Sequence, residues 1–142
     1  MSSSKAPKTK VTKSSTCLCG SISFTVTGVD KGTVLCHCSN CQKISGSAFL
    51  HNYRFTDSTL NFTKGEDLVV KYVDSDTKSG KVLHRHFCSK CGSTLFILPQ
   101  AFPGLSILCT GSMQDKTQPS FELFTENKSP WIGDVAAQKA KM

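Results

Sequence analysis

Seven of the eight cysteines fall into three tight clusters: Cys17-Leu-Cys19, Cys36-His-Cys38-Ser-Asn-Cys41 and Cys88-Ser-Lys-Cys91. Cysteines two or three residues apart rarely meet disulfide geometry, but they turn well around a single metal ion. The N-terminus is polar and shows no apolar secretory core, which also favours ligation over disulfides. Closed tetrahedral zinc sites use four protein ligands, whereas reactive ones use three and keep a position open. Counts of two, three and two therefore divide into one closed site and one open site. Spacing alone leaves the pairing open. The preferred set is Cys17, Cys19, Cys88 and Cys91 around a structural zinc, because it closes a long loop and would contribute folding stability. Cys36, Cys38 and Cys41 can then face a second, reactive zinc. Its fourth position would hold water, a substrate thiol or a further protein ligand.

The remaining metal-capable side chains read more plainly. Cys109 ends the apolar run Leu105-Ser-Ile-Leu-Cys109, so a buried core thiol is preferred over a fourth ligand. His37 lies between two ligand cysteines and either points away from the metal or orients substrate. His51, His84 and His86 read as strand histidines with ordinary partners. Gly20 and Gly92 follow two of the clusters, where a knuckle often needs a positive φ.

These clusters must be held by strands. Ser21-Ile-Ser-Phe-Thr-Val26 alternates strictly and puts Ile22, Phe24 and Val26 on one face. Gly28 to Gly32 reads as a turn, and Thr33 to Leu35 leads into the central cluster. Ser39 is expected to cap a short helical turn that Gly46 ends. Further strands are expected over Ser47–Phe55, Leu60–Phe62, Thr94–Leu98, Leu105–Thr110 and Phe121–Phe124. Leu68–Val73 and Lys81–Phe87 read as a hairpin joined by turn residues. No segment carries sustained helical periodicity, so the expectation is a small, mainly β domain.

At 142 residues the chain is expected to form one domain over residues 16–133, with a disordered basic tail over 1–15 and a short tail over 134–142. No apolar run approaches the ~18 residues of a membrane span. A cytoplasmic protein with no membrane partner is expected. The formal charge of +7 raises the question of nucleic acid. However, Lys5, Lys8, Lys10, Lys13, Lys139 and Lys141 lie in the expected tails, and residues 16–138 then hold 11 basic against 10 acidic residues. Nucleic-acid binding is not expected, except weakly through the lysine-rich N-terminus.

The stretch Cys36-His-Cys38-Ser-Asn-Cys41-Gln-Lys-Ile-Ser-Gly-Ser-Ala-Phe49 carries a resemblance. With Cys17-Leu-Cys19-Gly20 upstream, Phe87-Cys88-Ser-Lys-Cys91-Gly92 downstream and the late Pro130-Trp131, it resembles the glutathione-dependent formaldehyde-activating enzyme family. That family also contains centromere protein V. The resemblance spans about residues 15–131. It implies a small β-tent (Mss-like) zinc fold, a structural zinc on Cys17, Cys19, Cys88 and Cys91, and a catalytic zinc on Cys36, Cys38 and Cys41. The implied activity joins glutathione and formaldehyde, a carbon–sulfur lyase reaction run in reverse. A soft three-sulfur site suits a sulfur substrate. Three thiolates leave Zn²⁺ formally at −1, so thiol delivery is expected over carbonyl activation. Lys43, Arg54 and Arg85 are the candidate cations for an anionic thiol such as glutathione. Asn40, Ser45 and Ser47 are either hydrogen-bond donors to substrate or turn and cap residues. The alternative function is a zinc-stabilised binding module, as in the centromeric relative, since fold does not fix function.

Overall fold

The computed structural model describes residues 9–136. Eight strands make up a single sheet: β1 (Lys10–Thr16), β2 (Ser23–Cys36), β3 (Leu50–Lys64), β4 (Val69–Asp74), β5 (Leu83–Cys88), β6 (Thr94–Pro99), β7 (Ser106–Cys109) and β8 (Phe121–Leu123). Two short helices interrupt them, α1 (Ser39–Ser45) and α2 (Thr110–Met113). The order across the sheet is β1-β2-β3-β7-β6-β5-β4, and β8 pairs with β2 in parallel. Every other pairing is antiparallel. The expected mainly β class is what the chain forms.

Ile22, Phe24 and Val26 are buried as the alternation predicts. They join Tyr53, Phe55 and Phe96 in a core that also contains Cys17 and Cys88. Burying each such large side chain contributes about 1.5–3 kcal/mol. A second core occupies the other side of the sheet, with Cys36, Cys38, Cys41, Leu50, Ile97 and Cys109. Strand periodicity separates the two cores. On β7, Ile107 packs with the second core while its neighbour Leu108 packs with the first. The sheet is therefore covered on both faces, and each face carries one group of clustered cysteines.

Four sequence expectations differ from the structure. The disordered tail was expected to run to residue 15, but Lys10–Thr16 forms β1 and all seven residues pair with Val29–Ser23 of β2. Its side chains are short, polar or β-branched, which suits an edge strand held mainly by backbone bonds. Lys10 pairs with Asp57 at 3.2 Å and Lys13 with Asp115 at 3.1 Å, so two of the supposed tail lysines already have acidic partners. Residues 1–8 and 137–142 lie outside the described residues, and Ala136 within the expected C-terminal tail is buried.

Gly28 to Gly32 is not a chain reversal either. β2 runs straight through it with register shifts at Thr27/Val29 and Asp30/Thr33. Gly32 has φ 77° and donates its N–H to Asp30 Oδ1 at 2.8 Å, so the turn chemistry is spent on a bulge. A Cβ on Gly28 would lie 2.7 Å from Ser58 Cβ, which is why the strands approach there. Opposite the first shift, Asp57 takes φ 49°, and the two strands expected over 47–55 and 60–62 merge into the single long β3. The helical turn forms where expected and ends on Gly46 at φ 61°. Its N-cap is Cys38 rather than Ser39, because the Cys38 thiol accepts the Cys41 N–H at 3.4 Å. The β4–β5 hairpin pairs as expected.

Candidate metal centres

The first centre joins two distant parts of the chain. Cys17 and Cys19 follow β1, Cys88 ends β5, and Cys91 sits in the turn before β6. Their four Sγ atoms lie within 4.8 Å of one another. Cys17 and Cys19 sulfurs are 3.6 Å apart, and Cys19 and Cys88 sulfurs 3.9 Å. A tetrahedral zinc with bonds of ~2.3 Å requires sulfurs about 3.8 Å apart, so the set fits that ion. Gly20 (φ 77°) and Gly92 (φ 78°) turn the backbone, with Gly92 N–H donating to Cys88 O at 2.8 Å. Backbone N–H groups of Ile22, Lys90 and Cys19 then point at the sulfurs of Cys17, Cys88 and Cys91 at 3.3, 3.3 and 3.5 Å. At Cys91 such donors favour thiolate over thiol, whereas burial raises the Cys88 thiol despite them. Ser93, with help from the Cys19 N–H, pulls the Cys91 thiol down to about 5.

The second centre is local. Cys36 ends β2, Cys38 caps α1 and Cys41 lies in its first turn, and all three are buried. Their sulfurs are likewise within 4.8 Å of one another, with Cys36 and Cys38 at 3.4 Å. The thiols of Cys36 and Cys41 stabilise charge on Cys38 and draw it down to about 2. The same contacts hold the protons of the other two: Cys36 is pushed up to about 11 by Cys38, and Cys41 is also pushed up, by Cys36 and then Cys38. The contacts that favour charge on Cys38 thus oppose it on Cys36 and Cys41, so a metal ion has protons to displace there. Three sulfurs of one short segment suit a soft divalent ion with a position left open.

The surroundings fix this segment. His37 N–H donates to Leu123 O at 3.0 Å, and its carbonyl accepts from Gln42 Nε2 at 2.7 Å. His37 Nε2 lies 2.8 Å from Glu122 Oε1, so the ring is engaged with β8 and is not in the ligand set. Lys128 Nζ meets the same carboxylate oxygen at 2.8 Å. Burial works against charge on Glu122, but Lys128 and His37 outweigh it and hold the carboxyl below its ordinary value.

Arg85 is the candidate cation that reaches the trio. It is 2% exposed and its Nε donates to Asp74 Oδ2 at 2.7 Å. Burial opposes its charge, yet Asp74 and the Cys41 and Cys38 sulfurs outweigh that penalty and raise its pKa. Asn40, in the middle of the cluster, donates to Asp74 and to Asp76 O at 2.7 Å, which ties α1 to the β4–β5 loop. Arg54 is instead held by Lys31 O at 3.1 Å and stacks over Phe121. Lys43 lies exposed in the last turn of α1. Ser45 and Ser47 serve the turn after α1, bonding Phe49 O and N at 3.1 and 3.3 Å.

Cys109 packs beside the trio without joining its sulfur set, and burial pushes its thiol up to about 12. His51 Nδ1 is 2.7 Å from Thr110 Oγ1, and His86 stacks on Phe96 at 4.2 Å. Neither these histidines nor His84 joins a thiol cluster.

A cavity of about 160 Å³ opens on the trio. Its floor is Ile97 and Ile107, its polar wall Asn40, Asn52 and Arg85, and its rim Thr77, Lys78 and Ser79 of the β4–β5 loop. Lys78 binds Asn127 Oδ1 at 2.7 Å and Glu126 at 3.0 Å. A larger cleft of about 850 Å³ is lined chiefly by hydroxyls such as Ser15, Ser45, Ser93 and Thr110, and by no charged side chain. The trio and the buried guanidinium single out the smaller cavity as the candidate site. Sequence reasoning missed Asn52, Asp74 and Glu122. Each comes from a strand remote in sequence, and none carries a local signal.

Comparison with known proteins gives a consistent result. The profile of the family described as glutathione-dependent formaldehyde-activating enzyme matches residues 12–127. A Halomonas elongata protein described as a candidate glutathione-dependent formaldehyde-activating enzyme is 28% identical over 123 residues, 82% of this chain and 76% of its own. A crystal structure of a Rhodobacter sphaeroides protein shares the fold with TM-score 0.55 at 17% identity, over 72% of this chain and 89% of that one. No helix among the described residues is long and apolar enough to cross a membrane.

Proposed function

The chain belongs to the glutathione-dependent formaldehyde-activating enzyme family, and from that membership and the trio's cavity we propose a zinc-dependent enzyme of carbon–sulfur lyase type. Its substrate is a thiol adduct of a small aldehyde, with glutathione the thiol that the relative's description suggests. Cys17, Cys19, Cys88 and Cys91 hold a structural zinc. Cys36, Cys38 and Cys41 hold the reactive one. The observation that carries this reading is a buried three-sulfur set lining a cavity beside a buried guanidinium. Zinc there would lower the pKa of an incoming thiol and present it as a thiolate near neutral pH.

The chain's own residues do the rest. The trio offers three soft donors from one segment whose backbone is pinned by Leu123 and Gln42. Arg85 offsets the negative charge of the thiolates, and Asp74 and Asn40 hold it in place. Ile97 and Ile107 give the cavity an apolar lining beside the trio. In the addition, a carbon–sulfur bond forms, the carbonyl π bond breaks, and the thiol proton ends on the new hydroxyl. The reverse step restores both partners.

A cavity of about 160 Å³ is the size that holds a benzene-sized group of ~6 non-hydrogen atoms. A tripeptide's thiol end enters, and its charged ends remain outside near Lys78 or Lys43. The test is metal analysis with a cobalt-substituted protein titrated with glutathione. Two metals per chain, one with a sulfur charge-transfer band altered by the thiol, supports the assignment. A single metal, or two that ignore the thiol, points instead to a zinc-stabilised binding module.

A further inference from the structure

One carboxylate joins segment 121–136 to the loop that carries the trio. Glu122 lies on β8, with its side chain 6% exposed. Its Oε1 meets His37 Nε2 and Lys128 Nζ, each at 2.8 Å. Its Oε2 accepts the Val135 N–H at 3.4 Å. His37 is fully buried between Cys36 and Cys38, and Val135 precedes the buried Ala136. A buried charged set of this kind is weak evidence for stability, and its best-attested use is to fix one geometry. β8 is already placed for that, since it runs beside the end of β2 with Leu35 opposite Glu122 and Cys36 opposite Leu123.

The geometry in question is that of the second centre. His37 is held at three points: its N–H by Leu123 O at 3.0 Å, its carbonyl by Gln42 Nε2 at 2.7 Å, and its ring by Glu122. A residue fixed at backbone and ring leaves its two neighbours little freedom, and their sulfurs stand 3.4 Å apart. The Gln42 amide also donates to Asn127 O at 3.1 Å. Between these ties, Leu123 and Phe124 line the trio's cavity. Phe124 takes φ 56°, a left-handed conformation that an L side chain seldom holds unless its surroundings impose it. Here bonds on either side impose it, at Leu123 O and at Phe124 O, which accepts the Asn127 N–H at 3.0 Å. We infer that Glu122 is a positioning residue of the second centre, fastening segment 121–136 as a strap beside the trio, so that strap and metal hold each other in place. This rests on the reading that Cys36, Cys38 and Cys41 bind a metal, and it adds a coupling. Whatever affinity the trio gains from a closed strap, the strap gains in closure from the metal. The four-sulfur centre, built from residues 17–19 and 88–91 around the other core, is the internal reference.

The test measures the affinity of each centre for zinc in the full chain, by competition with a chromogenic chelator. Glu122→Ala is expected to weaken the second centre about 10–100-fold, as loss of an outer partner does, and to leave the first unchanged. Glu122→Gln keeps an oxygen for His37 but no charge for Lys128. It should fall between the two and still report if Glu122→Ala does not fold. Val26→Ala, which trims the other core, is the control for simple destabilisation: a lower melting temperature with both affinities kept. Hydrogen exchange over residues 121–136 is expected to slow at least tenfold between the one-metal and the two-metal native protein. Equal loss at both centres in the Glu122 variants, loss at neither, or exchange over 121–136 that ignores the second metal overturns the strap even if the protein turns over thiol adducts. A native protein that takes a single metal overturns the strap and the lyase reading together. Selective loss at the second centre with no turnover on any thiol–aldehyde mixture supports the strap and removes the lyase assignment alone.

Discussion

Replacing Cys88 and Cys38 separately by serine distinguishes a metal that holds the fold from one that performs chemistry. The first centre ties Cys17 to Cys88 and so closes a loop of ~70 residues, which a chain-entropy argument values at about 4.4 kcal/mol. The second spans only Cys36 to Cys41, a loop of ~6 residues worth about 2.2 kcal/mol by the same relation. Cys38 also caps α1 by accepting the Cys41 N–H, a role that serine performs well. Cys88 is fully buried in the aromatic core, where a serine hydroxyl loses its surroundings. Cys88→Ser is therefore expected to lower the melting temperature by about 15 °C, and Cys38→Ser by no more than about 7 °C. The assay is thermal unfolding with metal analysis of each purified variant. Cys38→Ser should retain one zinc per chain and lose activity on thiol adducts. If Cys38→Ser is as destabilised as Cys88→Ser, or if it keeps both zincs, the division into structural and reactive centres is wrong.

Three other perturbations test separate parts of the structure. With Cys36 held up at about 11 and Cys41 also raised, zinc must displace two protons from the trio. Its affinity there should rise about 100-fold per pH unit across neutrality, measured against a chromogenic chelator, and a slope of zero would contradict raised thiols at Cys36 and Cys41. Glu122, held below its ordinary pKa, contributes stability that is present above the usual carboxylate range and lost as pH falls through the folded value. Melting curves should thus drop below pH ~4, and Glu122→Gln should flatten that dependence; an unchanged acid limb argues against the His37–Glu122–Lys128 contact. Gly65 has φ 74°, and a Cβ there would overlap the backbone carbonyl of Ser21. Gly65→Ala should cost about 2–5 kcal/mol in denaturant unfolding, combining left-handed strain with overpacking. A cost under 1 kcal/mol would mean the β3 end can move away freely.

What the sequence revealed depended on whether the signal was local. Ile22, Phe24 and Val26 alternate because one face of β2 is buried, so periodicity reported it directly. The short helix was legible from Gly46, and the β4–β5 hairpin from its turn residues. The cysteine clusters were legible because ligands of one metal are often neighbours in sequence. β1 was not, since Lys10–Thr16 owes its order to pairing with β2 and to Asp57 and Asp115, 47 or more residues away. Gly32 and Asp57 carry turn signals that do hold positive φ, but a bulge in a long strand needs the same conformation as a reversal. Arg85 was one of three candidate cations by charge alone. Only the strand order singles it out, by bringing β5 against β6 and the trio's cavity while leaving Arg54 against Phe121.

The two centres differ in how completely their surroundings are satisfied, and that difference bears on which one reacts. Around Cys17, Cys19, Cys88 and Cys91, backbone N–H groups and the hydroxyls of Ser21 and Ser93 meet the sulfurs, and aromatic side chains close the core beneath. Around Cys36, Cys38 and Cys41, the contacts that favour charge on Cys38 oppose it on Cys36 and Cys41, and a cavity opens beside the buried Arg85. No such cavity with a buried cation adjoins the four-sulfur set among the described residues. A soft ion held by three sulfurs at the wall of a cavity has a position that a ligand can take, whereas four sulfurs around one ion leave none. The second centre is therefore the one whose surroundings suit a reacting thiol, and the first is the one whose loss should be read in stability.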